Sequence, residues 1–406
     1  MRADADRDGA VDDQVAAGSG DAQLVSSDLV RGATAPATGR AVVAVGVADD
    51  ADADPLLLGQ DPDATARMQD ADFDPADTLD PDREVEELEL SRCALTISVQ
   101  TSRIDVSLIA GRGEVVAAQR IPASSLADDA DADSIFDMLI GSVDSVLHAV
   151  GIEPDEATAL PGIGVVTTGR IDSAGGTVSP PGLPAWQAFP LRDKLSDHYH
   201  LAVKLLSSAA AVCAGEHWRG AARGRRSALG LVLGNGIDGA VVIDGRFVGG
   251  TTGNAGHIGH VCVDPYGPAC ACGGRGCLEA VAGGAAIAEW ARTHGGTNPS
   301  ADAAEVAEAA RRGDPIALAT FRRAGEAIGQ AVAGVVTLLD LDVVVVGGPL
   351  IAAGPVLFDP IADGYHRFAA LGYAAPARVV PALLGRDGGQ IGAAAAVLEP
   401  AVYPVG

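Results

Sequence analysis

Three cysteines within eight residues, Cys270, Cys272 and Cys277, with Gly273, Gly274 and Gly276 between them, constrain this chain more than any other feature. Glycine lets backbone fold tightly about one point, so "CACGGRGC" can bring three thiols together. Three thiolates and one imidazole complete a tetrahedral zinc shell, and either His260 or His257 could supply the imidazole. The alternatives are a Cys270–Cys277 disulfide or simple buried thiols. Clustered cysteines in a cytoplasmic protein are more often metal ligands than disulfides. A shell made only of cysteine and histidine is closed, so the expected ion is structural. Cys93, Cys213 and Cys262 lie in apolar surroundings and are expected in the core.

A cytoplasmic location is expected. The chain opens "MRADADRDGAVDD", with no basic, apolar and small-residue succession, and no uninterrupted apolar run reaches ~18 residues. No membrane association is expected. The net charge of −26 argues against general nucleic-acid affinity. Residues 1–90 carry 23 Asp and Glu against 6 Arg and no Lys, a net of −17. That segment shows no sustained period and is expected to be a disordered acidic tail, with "AVVAVGVA" from Ala41 as its one candidate strand. Nothing in it reads as a helix-turn-helix, and its lack of lysine leaves few phosphate contacts, so direct nucleic-acid binding is not expected.

From Ser91 the pattern becomes α/β. "CALTISVQTSRIDVSLIAGRGEVVAAQRI" reads as an antiparallel meander. "DSIFDMLIGSVDSVLHAV" is a helix with Ile135, Met138, Leu139, Val143 and Val146 on one face, Asp133 or Ser134 as cap and Gly151 as stop. "ATALPGIGVVTTGRID" supplies a buried strand, and "LAVKLLSSAAAVCAGEHWRGAARG" a strand followed by a helix. A second strand pair, "ALGLVLGNGIDGAVVIDGRFVGG", precedes the cysteines. "AEVAEAARRG" and "PIALATFRRAGEAIGQAVAGVVTLLD" then read as helices, and the wholly apolar "DVVVVGG" as a buried strand. Two such modules suggest two similar lobes facing a cleft. Aromatics make up only 4% of residues, so Ala, Val and Leu must fill both cores.

Gly259-His260 followed by the ungapped "CACGGRGCLE" resembles the signature of the ROK family of repressors, open reading frames and sugar kinases. The resemblance covers about residues 91–400. "GIGVVTTGRID", "PPGLPAWQAFPL", "LGNGIDGAVVIDGRFVGG", "VVVVGGPLIAAGP" and "LLGRDGGQIGAAAAVLE" are similar to further family segments. It implies a two-lobed, actin-like ATPase or sugar-kinase (ribonuclease H-like) α/β fold. The first lobe would span 91–208, closed by the helix at 388–400, and the second 209–387, with a zinc loop at 257–279. It also implies a homodimer, and a structural zinc held by His260, Cys270, Cys272 and Cys277. His257, His260 and Glu279 would line a sugar pocket, and Gly234, Gly236, Gly347 and Gly348 would face nucleotide. For Glu279 the plainer role is a helix-start carboxylate.

Departures from the family fall at the chemistry. The family's catalytic Asp, in an Asn-Asp-Ala-Asn stretch before Gly-Glu, corresponds to Ser208, and a sugar-binding Asn to Ala210. A hydroxyl cannot take a proton at neutral pH, and loss of a general base typically lowers the rate ~10²- to 10⁴-fold. The first phosphate motif, Asp-x-Gly-Gly-Thr, is replaced by Ser98-Val99-Gln100-Thr101-Ser102, which argues against ATP and magnesium binding. The family's Glu three residues before the zinc His is His257. The expected function is therefore a catalytically silent relative, a sugar-sensing regulator without its own DNA-binding domain. The alternative is an ATP-dependent hexose or N-acetylhexosamine kinase, glucokinase-like, whose base is replaced by Asp238 in the glycine turn or Asp105 on a strand edge.

Overall fold

The structure, a computed structural model, describes residues 41–42, 87–122, 130–251, 253–296, 298–374 and 377–405. Almost all of the acidic segment expected to be disordered lies outside the described residues. Two short strands from it, β1 (Ala41–Val42) and β2 (Glu87–Leu88), pair antiparallel.

Alternating residues of β3 (Cys93–Val99), β4 (Arg103–Ala110) and β5 (Val115–Pro122) build the expected meander. The following helix, α1 (Ala132–Ala149), buries Ile135, Phe136, Leu139, Val143, Val146 and Leu147. Each such side chain contributes about 1.5–3 kcal/mol. Its cap is Asp131, whose carboxylate accepts from Ser134 N, and not Asp133 or Ser134; the helix begins one turn earlier than its apolar stripe indicates. Then come β6 (Ile163–Thr167), the hairpin β7 (Arg170–Asp172) and β8 (Thr177–Ser179), α2 (Leu191–Tyr199), β9 (Val203–Ser207) and α3 (Ser208–Trp218). The first sheet has the order β5-β4-β3-β6-β9, with β3, β6 and β9 parallel.

The same order recurs. β10 (Ala228–Leu233), β11 (Ile237–Ile243) and β12 (Arg246–Val248) form three antiparallel strands where a pair was expected. Helices α4 (Leu278–Ala282), α5 (Gly284–Thr293), α6 (Ala303–Arg311) and α7 (Pro315–Leu339) follow. Strand β13 (Val343–Gly347), helix α8 (Pro355–Phe368), strand β14 (Arg378–Pro381) and helix α9 (Gly388–Leu398) complete the chain. The second sheet is β12-β11-β10-β13-β14, with β10, β13 and β14 parallel. Val343 to Gly347 are all buried, as a strand covered on both faces requires.

Small residues let these layers meet closely. Ala393 to Ala396 of α9 are fully buried, and a Cβ on Gly392 would overlap the Ala211 carbonyl of α3. Helix α9 closes back on the first sheet, where the amide of Gln390 accepts from Ser107 Oγ of β4 at 3.0 Å. Among the described residues no helix is long and apolar enough to cross a membrane.

Candidate functional site

Helix α4 begins at the residue after Cys277, and the loop ahead of it, from His257, folds back on β11. A Cβ on Gly259 would overlap the Ile237 carbonyl. Gly276 has φ +65°, a conformation a side chain rarely takes, and a Cβ there would overlap the Asp264 carbonyl. Within this fold one ligand atom each from His260, Cys270, Cys272 and Cys277 lies within 4.8 Å of all the others. All six cysteines are free thiols, so the Cys270–Cys277 disulfide does not form. Cys262 is exposed, which corrects its expected place in the core: it pairs edge to edge with Cys277 along the loop, and its side chain turns out to solvent.

The four donors fit a tetrahedral ion. With zinc–sulfur and zinc–nitrogen bonds of about 2.3 and 2.0–2.1 Å, the edges of the tetrahedron are roughly 3.8 Å for S···S and 3.6 Å for S···N. Cys272 and Cys277 Sγ stand 3.7 Å apart, and Cys270 Sγ and His260 Nδ1 3.6 Å. A Cβ on Gly274 would press both sulfurs at 3.3 Å, so a side chain there would crowd the site. The Gly274 N–H donates to Cys272 Sγ at 3.4 Å and, with the neighbouring thiols, holds that thiol below its ordinary pKa. Burial first, then the adjacent thiols, push Cys277 up to about 12. With four protein donors no position is left for a reacting water, so an ion held here would shape the loop and not catalyse.

The three residues expected to line a sugar pocket are tied together by ring stacking and through the start of β11. The rings of His257 and His260 stack with centroids 4.9 Å apart and planes 20° off parallel. His257 Nδ1 lies 3.0 Å from Asp238 Oδ1, and this hydrogen bond holds the imidazole above its ordinary pKa against the opposing effect of burial. Glu279 is in the first turn of α4, but its Oε2 accepts from Ile237 N at 3.0 Å. It therefore does more than face a five-residue helix dipole. Gly236 packs against the same carboxylate oxygen.

The glycine residues assigned to nucleotide also converge. Gly234 N donates to Gly236 O at 3.0 Å and closes the turn between β10 and β11. Gly348, at φ +91°, follows β13 and packs against the Leu233 backbone, and Gly347 packs on Val212 of α3. Gly234, Gly236, Gly347 and Gly348 thus form one junction, which adjoins Glu279 at Gly236.

Ser208 opens α3, its Oγ directed at the Thr167 carbonyl 3.5 Å away, with Ser207 as the cap. Ser98 is the penultimate residue of β3 and accepts from Gln100 Nε2 at 3.1 Å. Asp105 sits across from Ser98 on β4, the second strand of the sheet and not an edge. Its two oxygens take Arg103 Nε at 2.7 Å and Arg120 Nε at 2.8 Å, and the residue is only 6% exposed. Both carboxylate oxygens are thus already occupied by guanidinium hydrogen bonds. The Asp238–His257 contact and this Arg–Asp–Arg cluster both escaped sequence reasoning. The one available signal was the two-residue spacing of Arg103 and Asp105, which puts both side chains on one face of β4.

A profile of the ROK family matches residues 96–399. The chain is 35% identical over 261 residues to a glucokinase of Thermotoga maritima, an overlap that covers 61% of this chain and 82% of that protein. It is 27% identical over 345 residues to the DNA-binding transcriptional repressor Mlc of Escherichia coli, covering 79% and 83%. Of solved structures, a ROK hexokinase from Thermus thermophilus matches with a TM-score of 0.68 at 30% identity, over 76% of this chain and 99% of that one. The two repeated sheets, joined through α3 and α9, are the two-lobed actin-like fold of these sugar kinases. By its fold, its His and Cys cluster and the extent of these matches, the chain belongs to the ROK family.

Proposed function

We propose that this chain is a catalytically silent ROK protein that binds a sugar against His257, His260 and Glu279 and acts as a sugar-sensing regulator, with a structural zinc at His260, Cys270, Cys272 and Cys277. The observation that carries this reading is Ser208. At the start of α3, where the resemblance puts the proton acceptor, there is a hydroxyl directed at a backbone carbonyl. Phosphoryl transfer needs a group that positions the attacking hydroxyl and takes its proton. Neither substitute carboxylate is free: Asp105 is bound by two arginines and Asp238 by His257. Gln100 and Thr101, in place of glycines, bring side chains where backbone amides would approach phosphate.

The net charge of −17 and the lack of lysine in residues 1–90 favour signalling through a protein partner or a homodimer over direct contact with DNA. The second reading, an ATP-dependent hexose or N-acetylhexosamine kinase with a replaced base, is favoured by the 35% identity to a glucokinase. Titration calorimetry of the zinc-loaded protein with glucose, mannose and their N-acetylated amino sugars tests the sensor reading. Saturable binding of one sugar without ATP supports it, and no binding of any of them removes it.

A further inference from the structure

His257 and Asp238 come from separate elements, the loop after β12 and the second residue of β11, and meet at 3.0 Å. A carboxylate only accepts, so Nδ1 of His257 carries the proton and, in the neutral ring, Nε2 is left with its lone pair. The ring is held on two sides, by Asp238 at its edge and by His260 across its face. Asp238 is itself oriented, since its Oδ1 also accepts from Gly239 N at 2.8 Å. Its backbone lies one residue past Ile237, whose amide Glu279 holds. The two wall residues His257 and Glu279 therefore grip adjacent positions of the same turn, one through a side chain and one through an amide.

We propose that Asp238 is a positioning and specificity-determining residue for the ligand wall: it selects the Nδ1–H form of His257, so that the wall offers a single acceptor nitrogen to a hydroxyl or amide N–H of a sugar. The proposal rests on reading His257 and Glu279 as that wall. A ligand that presents a hydrogen-bond donor at this point is accepted, and one that presents only an acceptor leaves two lone pairs opposed.

Long-range ¹H–¹⁵N correlation of the histidines in the zinc-loaded full chain reads the tautomer directly, with His257 assigned through His257→Gln. At a pH of about 9, above the usual histidine range, the wild type is expected in the Nδ1–H form. Asp238→Ala should move it toward the Nε2–H form that a solvated imidazole prefers. Asp238→Asn keeps an acceptor oxygen and should preserve the Nδ1–H form. An Nε2–H signal in the wild type, or an Nδ1–H signal that survives Asp238→Ala, would overturn the proposal. Zinc content and thermal unfolding of both variants establish that the wall is intact. For a sugar bound by the wild type, Asp238→Ala should weaken binding about tenfold or more, the loss of one hydrogen bond, and Asp238→Asn clearly less. Equal losses would overturn the specificity role. Absence of binding to the wild type would defeat the wall reading and the specificity role with it, while the tautomer shift would still decide whether Asp238 positions His257.

Discussion

Glu279 Oε2 accepts the amide of Ile237 at 3.0 Å, across 42 residues of sequence. One of these groups lies in the first turn of the helix that follows the last thiol of the His and Cys cluster. The other belongs to the glycine turn that leads into β11. The contact makes the metal loop and the turn a single unit, and the remaining bond from Asp238 to His257 braces it from the other side.

Removing that acceptor should be felt as a loss of stability. Glu279→Ala leaves the Ile237 amide without its partner and is expected to destabilise the fold by about 1–3 kcal/mol. Glu279→Gln keeps an acceptor oxygen and should lose less. Urea denaturation of the two variants checks the order, and an unchanged midpoint for Glu279→Ala would show that water replaces the carboxylate without penalty.

The four-donor cluster should carry one ion. Elemental analysis of the purified protein is expected to find one zinc per chain, and Cys277→Ser to abolish it, because a hydroxyl is a weak ligand beside two thiolates and an imidazole. Chelation should open 257–279 to protease, as metal binding and local folding are linked. A metal-free protein in which mass spectrometry finds Cys270 bonded to Cys277 would contradict this.

His217 predicts a loss of stability in mild acid. Its Nε2 lies 2.9 Å from the Arg225 carbonyl, which can only accept, so Nε2 carries the proton and Nδ1 accepts from the Tyr403 hydroxyl at 2.8 Å. Burial holds the imidazole below its ordinary value of 6.5, only partly offset by the bond to Arg225. Since the folded value is depressed, the neutral ring stabilises the fold in full above the unfolded value of 6.5, and the contribution is lost as pH falls from there through the folded value. Tm measured against pH should fall less steeply in this window for His217→Gln than for the wild type. Parallel curves would assign the acid response to other groups.

Close approach of backbones makes α3 and α9 intolerant of added volume. Gly392→Ala places a methyl group against the Ala211 carbonyl, where no flexible side chain can yield. Overpacking of this kind costs about 1–3 kcal/mol. Thermal unfolding checks it, with Gly334→Ala, at a position with open space around it, as the control that should be unaffected or slightly stabilised.

Much of the fold was legible because periodicity and burial agree where a strand or helix has one buried face. The stripe from Ile135 to Val146 and the apolar run Val343–Gly347 are examples. The helix at Leu191–Tyr199 was missed because its mean hydropathy is low, with only Leu191, Leu195 and Tyr199 buried. The third strand of the second meander, Arg246–Val248, was missed because three residues are too few to show alternation. The three thiols of the cluster were legible from spacing, since they share one short loop, whereas the choice of His260 over His257 came from the family resemblance. The contact Asp238–His257 joins a strand to a distant loop, and Arg120 reaches Asp105 through strand register, so no local spacing announces either.

The most direct test of the central claim is ATP consumption by the zinc-loaded protein with magnesium, measured with and without glucose, mannose, N-acetylglucosamine and N-acetylmannosamine. With Ser208 at the base position the expected result is no sugar-dependent turnover above background, at a protein concentration where a loss of ~10²- to 10⁴-fold from an active kinase would still be seen. Sugar-dependent phosphorylation at the rate of an ordinary sugar kinase, ~1–100 per second, would contradict the account and require a base other than Ser208.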